Sequence, residues 1–200
     1  MARRSDHSRE ELRHLIIQEG HKHMAEVGFA RFSAREVAKR IGYSVGTVYN
    51  VFGTYDRLIL AINTRTFTLW AAFLRDRLAA ASADRIAALV EGYFDFATAN
   101  SSLWMAIYDH RLPPDEPMPE ADDQERAELT NIVMAEIATV LPPTAGEAIP
   151  RLARSLVATV HGHCTFALNG SFALMGEGDP KALALARVRE ALSAASALAD

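Results

Sequence analysis

Two helix-forming segments separated by one glycine dominate residues 33–52 of this 200-residue chain. Ser33 is a preferred residue immediately before a helix, and Glu36 three positions later completes the pattern of a capping box. Gly42 stands where a helix ends in a left-handed residue, and Ser44 then opens a second, very short helix. Helix, tight turn and short helix is the arrangement that places a second helix in the major groove of DNA. We therefore predict a helix-turn-helix.

The residues of the motif and its flanks match a wider pattern. Residues 42–52 read Gly-Tyr-Ser-Val-Gly-Thr-Val-Tyr-Asn-Val-Phe, after Arg-Glu-Val-Ala at residues 35–38 and before Asp-Arg-Leu-Ile at residues 56–59. Together these runs resemble the DNA-binding domain of the tetracycline-repressor (TetR) family of bacterial transcription regulators. The resemblance spans roughly residues 8–65. It implies an all-α protein with an N-terminal three-helix DNA-binding domain and a C-terminal helical ligand-binding and dimerisation domain.

Candidate DNA contacts lie on and beside the short second helix. Gly46 allows the backbone to approach the duplex closely, and the hydroxyls of Thr47 and Tyr49 suit phosphate oxygens or base edges. The Asn50 amide suits a bidentate contact to adenine. The predicted DNA-binding residues are Arg35, Ser44, Val45, Gly46, Thr47, Tyr49, Asn50 and Tyr55, with Arg3 and Arg4 of the amino-terminal arm as further partners.

Two positions depart from the family pattern. Val51 replaces a histidine that usually precedes the final phenylalanine, and Tyr55 replaces a lysine that often binds a phosphate. A tyrosine hydroxyl donates a hydrogen bond without a charge, so its contribution depends less on salt. We expect operator affinity to rest more on Arg35, Lys39 and the arm.

Charge is distributed unevenly along the chain. Residues 1–60 hold ten Lys or Arg against seven Asp or Glu, whereas residues 61–200 hold eleven against eighteen, within a net charge of −4. The excess of positive charge coincides with the helix-turn-helix, as DNA binding requires. A protein that coats DNA along its whole surface would need a basic carboxy-terminal portion as well, and this chain lacks one.

The remainder of the chain is predicted to be helical. The segment 112–119 contains four prolines and is predicted to be a loop. We expect a DNA-binding domain at residues 1–54 and a ligand-binding and dimerisation domain at residues 55–200. The predicted helices of the second domain span about 55–81, 84–99, 103–111, 121–141, 148–174 and 180–199.

The last two predicted helices, about 148–174 and 180–199, suggest a homodimer interface. Apolar residues recur in them at intervals of three and four, and small residues are dense, which permits close helix packing. The alternative is an ordinary core stripe in alanine-rich helices. A two-fold dimer reads a palindromic site, and the family resemblance favours the dimer.

Aromatic residues are concentrated in the middle of the chain, in three consecutive predicted helices. Such side chains line pockets between helices, although an aromatic stripe is more often part of a core. The segment Val160-His161-Gly162 is similar to the Trp-His-Gly signature of one C-terminal subgroup of the family, with valine in place of tryptophan. The predicted ligand-binding residues are Trp70, Phe73, Phe96, Trp104, Tyr108 and His161, beside Tyr93 and Phe94 in the same aromatic set.

Other classes of function find little support in the sequence. The seven histidines and the single Cys164 do not have the spacing of a structural metal site, so no metal or other cofactor is expected. Motifs for nucleophilic or phosphate chemistry are absent, and we expect no enzymatic activity. A lone cysteine, the absence of a signal peptide and the lack of a long apolar run predict a cytoplasmic protein.

These observations predict a sequence-specific DNA-binding transcriptional regulator. We expect a ligand-released repressor that acts as a homodimer on a palindromic operator in double-stranded DNA, with a small-molecule effector of unknown identity. A ligand-dependent activator is the alternative within the same class. A non-enzymatic helical protein that binds a small molecule and has no specific operator is the alternative from a different class.

Overall fold

The computed structural model describes residues 7–81 and 83–198, and within them all regular structure is helical. This confirms the predicted all-α class. Two short 3₁₀ turns, Phe29–Arg31 and Pro143–Ala148, accompany the α-helices. The helices are α1 (Arg9–Val27), α2 (Ala34–Arg40), α3 (Val45–Phe52), α4 (Tyr55–Ala80), α5 (Arg85–Ala99), α6 (Ser101–Asp109), α7 (Glu120–Val140), α8 (Ile149–Leu168), α9 (Ser171–Leu174) and α10 (Pro180–Ala197).

The chain divides into two compact units. The amino-terminal unit contains the chain through Phe67 together with Asn100–Glu125, and the carboxy-terminal unit contains Thr68–Ala99 and the chain from Arg126 onward. The amino-terminal unit thus includes α6, because Leu103 and Ala106 of that helix belong to its core. The functional division at residue 54 stays a prediction.

Most helix boundaries agree with the sequence, and one prediction was wrong. The proline-rich segment 112–119 lies between α6 and α7 as a loop. The single helix predicted for residues 148–174, however, is two helices, α8 and α9. Gly170 separates them with a left-handed φ of 79°, a conformation that glycine adopts without steric cost. The preceding Asn169 accepts a hydrogen bond from the Ser171 backbone at 2.9 Å, which stabilises the break.

Serine caps begin the first three helices. The Ser8 hydroxyl accepts a hydrogen bond from the Glu11 backbone N–H at 3.2 Å, and the Glu11 carboxylate accepts one from the Ser8 backbone at 2.7 Å. The predicted capping box at Ser33 is only half formed. Ser33 accepts from the Glu36 backbone at 3.3 Å, but the Glu36 carboxylate contacts Arg40 at 3.4 Å instead, since the opposite charge one turn away attracts it.

The amino-terminal unit is organised around a single apolar core to which α1, α2, α3, α4 and α6 all contribute. Val48 of α3 is completely buried in this core. The core residues are Leu12, Ile16, Met24, Phe32, Ala34, Val37, Ala38, Val48, Leu58, Ile59, Ile62, Leu103 and Ala106.

In the carboxy-terminal unit α5, α8 and α10 pack against one another. Glu136 of α7 is buried and accepts two hydrogen bonds from the Arg85 guanidinium, each 2.6 Å long. This bidentate geometry is the strong form of an ion pair. It gives the buried carboxylate the partner that burial demands.

One histidine in the amino-terminal unit links stability to pH. Burial, together with repulsion from the nearby Arg65 charge, lowers the pKa of His21 from its ordinary value of 6.5 to about 4. Between pH 6.5 and pH 4 the unfolded chain therefore binds a proton at this position that the folded chain does not. The free energy of unfolding consequently falls as the pH drops through that window.

We expect the substitution His21→Gln to reduce the loss of stability between pH 6.5 and pH 4, because glutamine takes up no proton in either state. The measurement is urea denaturation of both proteins at several pH values across the window. His14→Gln, on the exposed side of the same helix, is the matched control and should follow the native pH profile. A His21→Gln profile that runs parallel to the native one would contradict the prediction.

Candidate nucleic-acid interface and ligand cavity

The geometry of the second helix of the motif, α3, is set by local contacts at its start. Gly42 adopts a φ of 79° and lets the chain turn sharply after α2. The Ser44 hydroxyl then accepts a hydrogen bond from the Thr47 backbone N–H at 3.2 Å. Its oxygen also lies 3.0 Å from the Thr47 hydroxyl oxygen. These contacts hold the first turn of α3 and the two hydroxyls together.

The two faces of α3 have opposite character. Val48 is buried, and Val45 and Phe52 are half-buried against the core. On the other face Gly46 and Asn50 are exposed. The helical period places these two positions on one side with Tyr49, whose side chain is 37% exposed.

The predicted DNA-binding residues differ in how far they reach solvent. Five of them are exposed: Arg35, Ser44, Gly46, Tyr49 and Asn50. Val45, Thr47 and Tyr55 are half-buried. Arg3 and Arg4 lie outside the described residues. Their contribution therefore stays a prediction, as do the individual contacts of the other eight.

Tyr55 is held between the core and the surface. Its ring centroid lies 6.2 Å from that of Phe32. Burial raises the pKa of the Tyr55 hydroxyl, and Tyr49 and Asp56 raise it further. The hydroxyl is thus protonated at neutral pH and remains a hydrogen-bond donor, as the sequence prediction for this position requires.

The basic residues Arg40 and Arg35 of α2 differ in whether they form ion pairs within the protein. Arg40 contacts the carboxylates of Glu19, Glu26 and Glu36, the shortest contact being 2.7 Å to Glu26. These contacts raise the pKa of Arg40 and commit its charge to the fold. Among the residues that the structure describes, Arg35 forms no ion pair, and its side chain is exposed.

One cation beside α3 was missed by the sequence analysis. The Arg13 guanidinium of α1 lies 5.5 Å from the centre of the Phe52 ring, a cation–π distance. No local sequence signal connects these two positions, since the contact forms only when α1 packs near the end of α3.

Four of the six predicted ligand-binding residues lie in the carboxy-terminal unit. Trp70 is fully buried and stacks on Phe96 with ring centroids 5.1 Å apart. The ring centroid of Phe73 lies 5.8 Å from that of Phe96. Tyr93 meets Trp70 edge-on at 4.7 Å and connects the aromatic group to the fourth predicted residue, His161.

Half-buried His161 and buried Tyr93 form a polar pair. The Tyr93 hydroxyl oxygen lies 3.1 Å from His161 Nδ1, and the Thr165 hydroxyl oxygen lies 3.4 Å from His161 Nε2. Burial lowers the pKa of His161, so the imidazole is neutral at pH 7. Burial also raises the pKa of the nearby Cys164 thiol to about 12, so this group is uncharged as well.

The other two predicted ligand residues, Trp104 and Tyr108, belong to the amino-terminal unit. Their rings meet edge-on with centroids 5.2 Å apart. Trp104 is fully buried, and Tyr108 is half-buried. The structure therefore separates the six residues into a group of four and a group of two, each within its own unit.

An apolar cavity lies between five helices of the carboxy-terminal unit. The cavity has a volume of about 50 Å³ and opens to solvent. It is therefore small. Its lining residues are Leu74, Ile86, Leu89, Val90, Tyr93, Val133, Ile137, Leu156, Val157, Val160 and Val188.

None of the six predicted ligand residues is among these eleven lining residues, although all six are described by the structure. The aromatic group predicted from sequence is next to the cavity, because Tyr93 both lines the cavity and contacts Trp70. Aliphatic lining residues carry no sequence signal that separates them from ordinary core positions, except that Val160 stands where the Trp-His-Gly signature has a tryptophan.

Among residues 7–81 and 83–198, no group of three or more His, Cys, Asp or Glu side chains lies in an arrangement that could hold a metal ion. No helix in this part of the chain is long and apolar enough to cross a membrane.

Comparisons with known proteins agree with this geometry. Solved structures with the same fold include a protein with unknown function from Rhodococcus sp. RHA1 (TM-score 0.70, 19% identity, 96% of this chain and 97% of that one). Another is the multidrug binding protein EbrR complexed with imidazole (TM-score 0.61, 21% identity, 93% of this chain and 96% of that one). No curated protein matches the sequence significantly.

Family models account for most of the chain. Residues 16–62 match the model described as bacterial regulatory proteins, tetR family, and they contain α2 and α3. Residues 86–191 match the model described as tetracyclin repressor-like, C-terminal domain. The second match alone covers more than half of the 200 residues. The chain therefore belongs to the tetracycline-repressor family of DNA-binding transcription regulators.

Proposed function

We propose that this regulator is a homodimeric repressor that binds a palindromic operator and leaves it when a small molecule binds. Members of the family bind DNA operators and small-molecule effectors, form dimers, and are generally non-enzymatic. The observation that carries the proposal is the polarity of α3, whose apolar side is held in the core while Gly46, Tyr49 and Asn50 face solvent.

The exposed side of α3 has the chemistry of a major-groove reader. The Ser44 and Thr47 hydroxyls at its start, together with the positive end of the helix dipole, favour a phosphate oxygen. The Asn50 amide farther along the helix suits the paired donor and acceptor of adenine. Arg35 on α2 is exposed and forms no ion pair with another described residue, so its charge is available for a phosphate. Phosphate contacts position the helix, and base contacts give specificity.

A dimer is supported by the exposed face of α8. Ser155, Ala158 and Gly162 follow one another on this face at helical spacing, and their small side chains permit a second helix to approach. Phe166 continues the face and is 45% exposed. Farther along, Leu174 is 92% exposed, which is unusual for a large apolar side chain unless a partner covers it.

Part of the apolar stripes predicted from sequence lies in the core of the carboxy-terminal unit. Cys164 of α8 and Val188 and Leu192 of α10 are buried there, whereas Leu168, in the α8 stripe, is 36% exposed. The buried positions contribute to the fold of one chain. The dimer surface we propose is therefore the opposite, solvent-facing side of α8 with the adjoining α9.

Effector action is a shift between two conformations. A ligand that prefers the conformation with mismatched recognition helices lowers the population that binds the operator, and only its difference in affinity for the two conformations contributes. EbrR, a protein of the same fold, is described as a multidrug binding protein, and this supports a small-molecule role for the cavity here.

The direct test is a mobility shift with the purified protein and the intergenic DNA upstream of its own gene, across a salt series. A complex that resists competitor DNA and weakens as salt increases supports specific binding to an operator there. The same fragment placed before a reporter gene separates repression from activation, because a repressor lowers and an activator raises expression. Failure to form any specific complex with genomic DNA would contradict the proposal.

We expect Thr47→Ala and Tyr49→Phe each to weaken operator binding by about tenfold or more, because each removes a hydroxyl at the proposed contact surface. The measurement is the dissociation constant for operator DNA at fixed salt. Thr98→Ala, on an exposed turn of α5, and Tyr108→Phe are matched controls and should bind normally. Normal binding by both α3 variants would show that α3 is not the recognition helix.

Arg35→Met is expected to act on the electrostatic part of binding. Loss of one phosphate contact should reduce the slope of log affinity against log salt by about 1 and should weaken specific and non-specific DNA binding alike. The control is Arg187→Met, since Arg187 is an exposed arginine of α10 that pairs with Glu190. If the slope for Arg35→Met is unchanged, Arg35 does not contact a DNA phosphate.

We expect Ala158→Arg to convert the dimer to monomers, because a long charged side chain cannot be buried unpaired between two closely packed helices. Sedimentation velocity over a concentration series measures the outcome. Ala79→Arg makes the same change at an exposed position of α4 and should leave the dimer intact. A stable Ala158→Arg dimer would place the interface elsewhere.

A further inference from the structure

The cavity of the carboxy-terminal unit is chemically uniform. Ten of its eleven lining side chains are aliphatic, and only Tyr93 among them has a polar side-chain atom. That atom is already engaged, because the Tyr93 hydroxyl lies 3.1 Å from His161 Nδ1. A ligand therefore meets hydrocarbon wherever it touches the lining.

Among the described residues, four titratable groups beside the lining are buried or half-buried, and each of them is paired or uncharged. Glu136 precedes the lining residue Ile137, but its two carboxylate oxygens each accept a hydrogen bond from Arg85 at 2.6 Å. Asp95, two residues after Tyr93, is bound by Arg77 at 2.6 Å and by Lys181. His161 and Cys164 are both neutral at pH 7, because burial lowers the pKa of the imidazole and raises that of the thiol.

From this arrangement we infer that the cavity selects small, uncharged apolar molecules and rejects organic cations and carboxylates of the same shape. The inference rests on the proposed function, in which this unit binds an effector, and it assigns the chemical class of that effector. A charged ligand would lose its hydration and gain no counter-ion in the cavity.

Val160 sets the size of the space. It is buried on α8 and lines the cavity, and it stands at the position where the Trp-His-Gly signature has its large indole. A larger side chain at this position would occupy the volume that a ligand needs. Val160 is therefore a determinant of specificity through shape.

Two pairs of isosteric probes isolate charge from shape. Toluene and N-methylpyridinium have the same outline and differ by one positive charge, and nitrobenzene and benzoate differ by one negative charge. We expect calorimetric titration of the full-length protein at pH 7.5 to show binding of toluene and nitrobenzene at least about tenfold tighter than binding of their charged partners. Equal binding within both pairs, or no binding of either neutral probe, would overturn the inference.

Substitution at the cavity tests its location. Val160→Phe should weaken toluene binding by about tenfold or more by filling the space, whereas Val140→Phe, at a half-exposed position of α7, should not. Val157→Ile is a smaller change in the same lining and should give an intermediate loss if Val160→Phe fails to fold. Unchanged toluene binding in a folded lining variant would overturn the assignment to this cavity.

The DNA mobility shift of the same preparations separates the two proposals. If the protein binds its operator but neither neutral probe, the proposed regulatory function stands and the inferred ligand class is wrong. If the protein binds toluene selectively but binds no specific DNA, the ligand class stands and the operator function is wrong.

Discussion

The burial of Val48 is the interaction on which the DNA-binding half of the molecule depends. A helix of eight residues such as α3 is too short to be stable alone, since isolated helices below about 12–15 residues are marginal in water. It forms because Val48 is completely buried among residues of the other helices and because Ser44 satisfies the first turn. Because the Val48 side of α3 faces the core, the opposite side of the helix must face solvent. The outward orientation of Tyr49 and Asn50 thus follows from one valine and the helical period.

The helix-turn-helix could be predicted from sequence because its determinants are local. Ser44, Gly42 and the apolar spacing that includes Val48 all lie within a few residues of one another, and each has a physical meaning that does not require the rest of the fold. The break between α8 and α9 was not predicted, although its determinants are local as well. Asn169 and Gly170 form a stop signal, but apolar residues continue on both sides of it and favoured one long helix. The predicted contact between the Glu36 carboxylate and the Ser33 backbone does not form for a different reason, because the carboxylate pairs with Arg40 instead.

The cavity could not be predicted in the same way. Its lining comes from α4, α5, α7, α8 and α10, and a valine beside a void has the same sequence context as a valine in a filled core. Aromatic residues such as Trp70 were conspicuous, yet Trp70 is fully buried against Phe96 and contributes to packing. The hydrogen-bond contact of the lining residue Tyr93 with His161 joins residues 68 positions apart. A spacing of that length is set by how α5 and α8 pack, and no short-range pattern encodes it.

Under the proposed mechanism, in which an effector binds in the cavity, the small size of the cavity limits how that effector can act. A molecule of seven heavy atoms gains at most roughly 10 kcal/mol, taking the ceiling of about 1.5 kcal/mol per atom for the best small ligands. Moving a two-state equilibrium from 1:99 to 99:1 requires a difference of about 5.5 kcal/mol between the two conformations. More than half of the largest attainable binding energy must therefore be specific to one conformation. A small cavity lined by aliphatic side chains meets this requirement when the second conformation closes it, because close-packed side chains leave no room for a ligand. Selectivity between conformations then arises from exclusion of the ligand, and no additional polar contact is needed.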